Sequence, residues 1–281
     1  MDENNLFLKT VQEKYERFCD YYMNMHSDFL SIEQQSLLSG FLRTHMKEGV
    51  YLFGGYGDAE RQQVVFLPDY SGVPEKVNAL AAFANEKEKN SAIAQILLEY
   101  FAENPDDCPI CLLEVSIPPA EHRTLGHRDY LGALIGEGIR REKIGDIIVA
   151  PKGAQIIVAA ELGDYLAENF RHAGSVSINV KKASVFALNS LKSETKNLKF
   201  TLSSPRLDNI TAGIFGISRK DATEAISRGK VFVNGREISK PDFTLKGGEK
   251  VVLRGKGKAI YNGISGESKK GKLYVNVDKY V

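Results

Sequence analysis

The 281-residue sequence contains no tryptophan, only three cysteines and no long apolar run. A transmembrane helix needs about 18 mostly apolar residues in succession, and no stretch of the chain approaches that length. The first ten residues, MDENNLFLKT, lack the basic flank and apolar stretch of a secretory signal. An odd number of cysteines without such a signal is typical of reduced thiols. These absences predict a cytoplasmic protein that does not span a membrane.

The charged residues are unevenly distributed along the chain, although the net charge is only +1. Residues 1–107 carry 9 Lys and Arg against 18 Asp and Glu, a net charge of −9. Residues 108–204 carry 12 against 10, and residues 205–281 carry 16 against 8, a net charge of +8. A basic segment of this kind favours a polyanionic partner such as nucleic acid, and a solvated basic face is the alternative.

The length favours two or three domains, and the first segment, residues 1–107, is predicted to be an acidic α+β domain. It has an amphipathic helical pattern from Phe7 and a capping box at Ser31 and Gln34. The runs VYLF and QVVFL are strand-like and are joined by GGYGDAERQ, which lacks the Lys-Ser/Thr of a P-loop and is best interpreted as a hairpin loop. The helical pattern EKVNALAAFANEKEKNSAIAQILLEYF closes the segment, with a break predicted near Asn90.

The remaining chain is predicted to form two further α+β domains. In residues 108–182 the strand-like runs ICLLEVSI, DIIVA, AQIIVAA and SVSINV alternate with two helical patterns in the ferredoxin-like order βαββαβ. Residues 183–204 are polar and are predicted to be a linker. Residues 205–281 combine two short helices with several strands, and Asn234-Gly235 predicts a tight two-residue hairpin turn. The predicted fold class of the whole chain is α+β.

Two motifs resemble catalytic or metal-binding patterns. HRDYLGAL begins like a protein-kinase catalytic loop, but Leu134 stands where that loop has Asn, and no DFG follows. Cys108 and Cys111 have the spacing of a metal or redox site, and His122 and His127 follow nearby. A strand follows instead of a second CxxC or a helix, which favours two cysteines buried in a strand. No cofactor or metal is predicted, and metal binding by this cysteine pair stays open.

RLDNITAG, residues 206–213, resembles the catalytic signature of pseudouridine synthases, in which the aspartate is the nucleophile. Only 73 residues follow Asp208, and the predicted small domain already accounts for them. A carboxylate in the first turn of a helix is also stabilised by the helix dipole. We therefore predict a structural role for Asp208, with an RNA-modifying enzyme as the alternative.

Residues 206–257 resemble the S-four RNA-binding domain. The features that carry the resemblance are the RLD opening, LKGGEKV, and a pattern of small and polar residues at Ser218, Arg219, Ala222, Ala225 and Gly229 before VFVNGREI. The whole chain resembles the YlmH-like family of bacterial cytosolic proteins, because GGYGDAERQ, GHRDYLGALIGEGIRREKIGDI and this domain occur in that family's order. The family has Ser or Thr where this chain has Gly126.

The resemblance implies that the C-terminal domain binds RNA through basic residues left outside its apolar stripe. Arginine is suited to bidentate phosphate contacts, and A-form RNA is recognised through its backbone and shape. The candidate RNA contacts are Arg206, Arg219, Lys220, Arg228, Lys230, Arg236, Arg254, Lys256 and Lys258. A second candidate contact in the middle domain comprises Arg140, Arg141 and Lys143, and a solvated loop is the alternative there.

The resemblance further implies a non-enzymatic protein that binds structured ribosomal RNA, tRNA or both, and acts in translation. Its implied partner is the large ribosomal subunit, stalled or assembling. Because genes of the family often lie among cell-division genes, a cell-division adaptor remains an alternative. That adaptor would bind a protein partner through the acidic residues 1–107.

Overall fold

The computed structural model describes residues 3–45, 49–82, 86–121, 123–190, 195–268 and 271–280. The chain divides into two compact units, Met1–Ser190 and Leu191–Val281. Helices and strands are mixed in both units, which confirms the predicted α+β class. Within these described ranges, no helix is long and apolar enough to cross a membrane.

The first half of the first unit packs helices around a three-stranded antiparallel sheet in the order β1-β3-β2. The capping box is confirmed, because Gln34 N donates to Ser31 Oγ (3.2 Å) and Ser31 N donates to Gln34 Oε1 (2.8 Å). The elements are α1 (Glu3–Tyr21), β1 (Met25–His26), α2 (Ile32–His45), β2 (Val50–Phe53), β3 (Gln63–Phe66), α3 (Val73–Asn78) and α4 (Glu86–Glu103).

The predicted helix break near Asn90 is wrong. Helix α3 ends at Asn78, and a 3-10 turn covers Ala79–Ala82. Asn90 lies inside the next helix, α4. Asparagine in a helix costs less than about 0.7 kcal/mol relative to alanine, which is too little to end a helix. The preceding run EKEK consists of strong helix formers and starts α4 before Asn90 is reached.

The second half of the first unit is a four-stranded antiparallel sheet in the order β5-β6-β4-β9. Two helices pack on one face of this sheet, where Tyr130 and Leu166 join the core formed by Leu113 and Ile156. The elements are β4 (Ile110–Ser116), α5 (His127–Gly136), β5 (Ile144–Ala150), β6 (Gly153–Ala159), α6 (Gly163–Asn169), β7 (His172–Ala173), β8 (Val176–Ser177) and β9 (Asn179–Ala183).

The strand predicted over SVSINV, residues 175–180, is divided in the structure. Its first part, β8, forms a separate hairpin with β7, and β9 pairs with β4 from Asn179 to Ala183. Gly174 lies in the turn of this hairpin with φ 62°, a left-handed conformation that glycine adopts without steric cost. The chain therefore reverses direction once more before it enters the four-stranded sheet.

The opposite face of the four-stranded sheet packs against the first half of the same unit. Leu112 and Ile157 belong to one buried cluster with Phe53 and Phe101. Successive residues of a strand point to opposite faces, so β4 contributes Leu113 to one core and Leu112 to the other. This explains why β4 is apolar almost throughout instead of alternating.

The second unit is a six-stranded antiparallel sheet in the order β10-β15-β14-β13-β11-β12, with two helices on one face. Asn234 (φ 48°) and Gly235 (φ 78°) are both left-handed, which confirms the tight hairpin turn between two of its strands. The elements are β10 (Thr195–Leu202), α7 (Leu207–Phe215), α8 (Arg219–Ser227), β11 (Val231–Val233), β12 (Arg236–Glu237), β13 (Glu249–Leu253), β14 (Gly257–Glu267) and β15 (Leu273–Tyr280).

The segment predicted as a linker, residues 183–204, contains regular structure. A 3-10 helix covers Val185–Ser190, and its buried residue Leu188 joins the core of the first unit. Strand β10 pairs with β15 over its whole length, and its Leu198 and Phe200 pack against the core of the second unit. The alternation of polar and apolar residues in KNLKFTL is therefore that of a half-buried edge strand.

Candidate RNA-binding surface

The two helices of the second unit meet at a tight turn that fixes their ends. Gly216 ends α7 in a left-handed conformation (φ 62°), and Ser218 caps α8 by accepting a hydrogen bond from Asp221 N (3.1 Å). The spacing of Ser218 and Asp221 is that of a capping box, but the Asp221 carboxylate accepts a hydrogen bond from Ser218 Oγ (2.7 Å). Aspartate is one methylene shorter than the glutamate usual at this position, so it bonds the nearer hydroxyl.

Asp208 lies in the first turn of α7 and binds two arginines, one of which is the first residue of α8. Its side chain is only 3% exposed, while those of Arg206 and Arg219 are 39% and 53% exposed. Arg206 Nε donates to Asp208 Oδ1 (3.2 Å) and its second nitrogen to Oδ2 (3.2 Å). Arg219 Nε donates to the same Oδ2 (2.9 Å). One buried carboxylate therefore holds two accessible guanidinium groups side by side.

The electrostatics of Asp208 fit a structural role. Burial alone would raise the pKa of the Asp208 carboxyl, but hydrogen bonds from Arg206 and Arg219 outweigh it and hold the pKa below its usual range. The carboxylate is thus ionised at neutral pH, and both of its oxygens already accept hydrogen bonds from guanidinium groups. This geometry supports the predicted structural role of Asp208.

The two arginines line an open groove of about 760 Å³. Lys220 lies beside them on α8, and Glu224 and Asp242 lie on the same groove. Glu224 is engaged in an ion pair with Arg228 at 2.6 Å, and Asp208 is buried. The groove therefore presents the three cations of Arg206, Arg219 and Lys220 together with one exposed carboxylate, that of Asp242.

The other predicted RNA contacts are spread over the same unit. Arg254 N donates to the carbonyl oxygen of Lys230 (2.9 Å), so these two residues lie together where β11 begins and β13 ends. The Arg254 guanidinium lies over the ring of Phe232 at 4.4 Å, a cation–π contact. Lys256 is exposed in the turn between β13 and β14, and Arg236 is exposed at the start of β12.

Lys258 lies on the sheet face opposite the helices. Lys250 lies on the same face and is not among the contacts predicted from the sequence. Lys258 Nζ is 4.7 Å from the ring centre of Tyr280, and Lys250 Nζ is 5.8 Å from the same ring. The signal that identifies Lys250 is its strand parity, because it shares a face with Val252, which pairs with Lys258 across the sheet. The nine predicted residues therefore belong to at least two faces of the unit.

The second candidate contact, Arg140, Arg141 and Lys143, lies in a network of acidic groups. Lys143 Nζ pairs with Asp28 Oδ1 (2.6 Å) and Glu161 Oε1 (2.7 Å). Burial lowers the pKa of the half-buried Arg141, and one of its nitrogens donates to a backbone carbonyl. Arg140 is the most exposed of the three, although it too pairs with an acidic neighbour at 3.1 Å.

The loop GGYGDAERQ, residues 54–62, joins the two halves of the first unit. Asp146 Oδ2 accepts hydrogen bonds from Tyr56 Oη (2.6 Å) and Glu60 N (2.7 Å), and Oδ1 accepts from Arg61 N (3.0 Å). Burial is the main cause that raises the pKa of Tyr56, and burial also lowers the pKa of Arg61 to about 10. The Arg61 guanidinium donates to the backbone carbonyls of Phe29, Arg141 and Ile144. The hairpin loop is thus held by one carboxylate from β5.

The cysteines of CPIC, Cys108 and Cys111, differ in their exposure. Cys111 is buried and Cys108 half-buried, and burial raises the pKa of the Cys108 thiol to about 11. Over the described ranges, no group of three or more His, Cys, Asp or Glu is arranged to hold a metal ion. His122, one of the nearby histidines, lies outside those ranges.

Comparison with known proteins places this surface in a family. Residues 104–186 match the family model "Putative RNA-binding domain in YlmH", and residues 206–251 match the S4 domain. The Ribosome-associated protein quality control protein P2 of Bacillus subtilis (strain 168) is 27% identical over 260 residues, which are 92% of this chain and 89% of that protein. The chain belongs to the YlmH-like family, with a C-terminal S4 domain.

Two ribosomal proteins are similar to the YlmH-like chain over shorter stretches. The small ribosomal subunit protein uS4B of Clostridium acetobutylicum is 29% identical over 104 residues, 36% of this chain and 54% of that protein. The small ribosomal subunit protein uS4 of Kosmotoga olearia is 36% identical over 76 residues, 26% of this chain and 36% of that protein. A solved structure, the cell division protein ylmH from Streptococcus pneumoniae, has a TM-score of 0.42 and 18% identity, and covers 66% of this chain and 94% of that chain.

The groove on α7 and α8 lies inside the segment that matches the S4 domain, residues 206–251, and this includes Arg206, Arg219 and Lys220. Arg254, Lys256 and Lys258 follow that segment along the chain. The YlmH-like protein therefore carries its arginine-lined groove on its S4 domain, whereas the family model that is named for RNA binding matches residues 104–186.

Proposed function

We propose that this YlmH-like chain is a non-enzymatic RNA-binding protein that associates with the ribosome and acts in translation in the cytoplasm. The observation that carries the proposal is the pair of accessible arginines held by Asp208 on the S4 domain. The similarity of most of the chain to a ribosome-associated protein of Bacillus subtilis supports it.

The groove is suited to the RNA backbone because its cations are positioned before a ligand arrives. A guanidinium binds a phosphate through two parallel hydrogen bonds. The contact contributes most to the binding free energy when the side chain loses little conformational freedom on binding. Arg206 and Arg219 each use part of their donors on Asp208 and keep accessible area for a phosphate. Lys220 adds a third cation at the same groove.

The ligand that we propose is structured ribosomal RNA or tRNA on a stalled or assembling large subunit. Residues 205–281 would provide the main contact. Their remaining basic residues, Lys230, Arg254 and Lys256 among them, would follow the backbone beyond the groove by charge and shape. In the middle part of the chain, Arg140 is the member of the second candidate contact with the most accessible charge.

The proposal is tested by sedimentation of the full chain with ribosomes at increasing salt. The variant Arg219→Glu/Lys220→Glu should release the protein at a lower salt concentration than the wild type. Each phosphate that the variant no longer neutralises should also reduce the slope of log K against log salt by about 0.7 to 0.9.

The matched control is Lys246→Glu/Lys272→Glu, which makes the same change in net charge at two exposed lysines of the same unit. This control should sediment nearly as the wild type does. Equal release of both double variants would mean that only the overall charge matters, and unchanged sedimentation of the groove variant would refute the proposal.

A further inference from the structure

A concave site of about 360 Å³ lies in the first unit between β1, β3 and the end of α4. Its floor is apolar and is formed by Val65, Leu67 and Phe101, all of which are buried. Its rim carries the carboxylates of Asp106, Asp107 and Glu161. An apolar floor under acidic groups suits a side chain that has both a hydrocarbon stem and a cationic end.

Asn24 is held in the pocket wall by two hydrogen bonds. Asn24 Nδ2 donates to Asp107 Oδ2 (2.7 Å) and to Tyr100 Oη (2.8 Å). The opposite amide orientation would place an oxygen against the carboxylate, so these contacts fix the side chain. Its Oδ1 is buried and has no hydrogen-bond partner in the described parts of the chain. This oxygen is enclosed within the protein, so the charged acceptors of the pocket are the carboxylates on its rim.

A patch of exposed aromatic residues borders the pocket. Tyr21 and Tyr70 are each 67% exposed, and Tyr22 and Met23 are also exposed. The rings of Tyr22 and Tyr70 meet edge to face at 5.9 Å, and Tyr70 Oη donates to Tyr22 O (3.2 Å). Tyr22 has φ 52°, a conformation that is costly for a bulky residue and is often retained at functional positions.

The patch and the pocket are continuous along the chain. Tyr22 is two residues before Asn24, and Tyr70 is three residues after Leu67. Both chain segments of the aromatic patch therefore lead directly into the pocket wall, to which Asn24 and Leu67 belong. Exposed tyrosine and methionine are enriched at protein interfaces, where tyrosine is a frequent anchor. A tyrosine face also attracts the guanidinium of arginine.

The charge of this surface determines the kind of occupant. Residues 1–107 have a net charge of −9, which repels RNA. Two lysines reduce the local charge, since Lys143 pairs with Glu161 and Lys14 Nζ donates to the carbonyl oxygen of His26. The carboxylates of Asp106 and Asp107 are exposed. Asp107 Oδ2 already accepts from Asn24 and Tyr100, so a cation would bind Asp106 and the other oxygen of Asp107.

We propose that the pocket and the Tyr21, Tyr22, Met23 and Tyr70 patch form a docking site for a basic segment of a partner protein. One arginine or lysine of that segment would enter the pocket between Asp106 and Asp107, and neighbouring apolar side chains would cover the tyrosines. This site does not depend on the RNA-binding groove of the S4 domain.

The test measures, by isothermal titration calorimetry at physiological salt, the affinity of the full chain for a peptide of alternating arginine and leucine. Both ends of the peptide are blocked, by acetylation and amidation. The same peptide with citrulline in place of arginine keeps the shape without the charge and should bind at least about tenfold more weakly. Asp106→Asn and Tyr70→Ala should each weaken binding of the arginine peptide by about five- to tenfold. Asp107 is left unchanged because it also holds Asn24 and Tyr100.

The matched control is Glu13→Gln/Glu16→Gln on the exposed side of α1, which removes more negative charge than Asp106→Asn. It should change the affinity by less than about twofold. Equal weakening by this control, equal binding of the citrulline peptide, or no binding to the wild type would overturn the proposal.

Two further measurements separate this site from the RNA-binding proposal. Arg219→Glu/Lys220→Glu should bind the peptide as the wild type does, even if it no longer binds RNA. Tyr70→Ala should retain the wild-type affinity for ribosomal RNA. A loss of RNA affinity in Tyr70→Ala would reassign the aromatic patch to RNA and refute the docking site.

Discussion

Replacement of Asp208 by asparagine tests most strongly whether this carboxylate holds Arg206 and Arg219 in place. Asparagine keeps the shape of the side chain but removes the charge that holds Arg206 and Arg219, and its amide nitrogen opposes their donors. A hydrogen bond to a charged group contributes about 1.5 to 3 kcal/mol. Both guanidinium groups are partly exposed and can be hydrated after the change, so we expect the lower end, a loss of about 2 kcal/mol for this unit.

Hydrogen exchange of the α7 amides, measured by mass spectrometry on the full chain, reports on this unit alone. A loss of about 2 kcal/mol should speed their exchange by roughly 30-fold where reclosing is fast and the opening equilibrium governs the rate, since about 1.4 kcal/mol corresponds to a factor of ten. The control Asp242→Asn removes an exposed carboxylate of the same groove and should change the exchange little. Exchange of Asp208→Asn within about twofold of the wild type would refute the structural role that we assign to Asp208.

The same substitution separates a structural aspartate from a catalytic one. A nucleophilic Asp208 would be needed for modification of RNA, so the asparagine variant would abolish that modification and leave the stability nearly unchanged. The structural role predicts the opposite, with reduced stability and RNA affinity lowered by less than about tenfold, because Arg206, Arg219 and Lys220 are all retained. Loss of a modified nucleoside from cellular RNA in this variant alone would contradict our account.

The ionisation of Asp208 also predicts how stability depends on pH. Its pKa in the folded chain lies below the ordinary value of 3.8, so the folded state releases this proton more readily than the unfolded state. The stabilisation is therefore complete above the unfolded pKa and is lost as the pH falls through the lower, folded pKa. The α7 amides should lose protection below about pH 4, and Asp208→Asn should flatten that dependence. An identical acid profile in both proteins would show that other carboxylates govern it.

Three further predictions concern the first unit. Gly126→Ser should stabilise the folded state by a few tenths of a kcal/mol and so raise the melting temperature slightly, because a hydroxyl can complete the cap in which Asp129 already accepts from Gly126 N. A fall in melting temperature would mean that the added side chain does not fit. Asp146→Ala should lower the free energy of urea unfolding by about 2 to 4 kcal/mol, because it removes the acceptor of three hydrogen bonds. Its control, Tyr56→Phe, should lower it by about 1 kcal/mol. Equal losses would refute the role of Asp146 in holding the loop GGYGDAERQ. In titration with a thiol reagent at pH 8, the exposed Cys19 should react fast and the half-buried Cys108 slowly. Burial raises the pKa of Cys108 to about 11, which leaves little of the reactive thiolate. Comparable rates for the two thiols would contradict the burial of Cys108.

Features that depend on neighbouring residues could be predicted from the sequence. Ser31 and Gln34 are three residues apart and cap their helix through contacts that such spacing allows. Asn234-Gly235 forms its turn because both residues tolerate left-handed backbone. The helix pair and its apolar stripe follow from the same short-range patterns.

Features that join distant residues could not be predicted in this way. Asp146 is 85 residues from Arg61, and no local pattern marks a carboxylate that will cap a loop so far away. Strand β10 pairs with β15 at the other end of its unit, so its polar surroundings alone indicate a linker. The ion pair between Arg219 and Asp208 spans 11 residues and two helices, so the sequence identifies Arg219 as basic but not as held in place.

The measurement that tests the central claim most directly is crosslinking and sequencing of RNA bound to the chain in cells, with the Arg219→Glu/Lys220→Glu variant beside the wild type. We predict that wild-type reads concentrate on large-subunit ribosomal RNA or tRNA, and that this concentration disappears in the groove variant but is kept in Lys246→Glu/Lys272→Glu. Scattered reads from the wild type, or the same focused reads from the groove variant, would contradict RNA binding through the arginines that Asp208 holds.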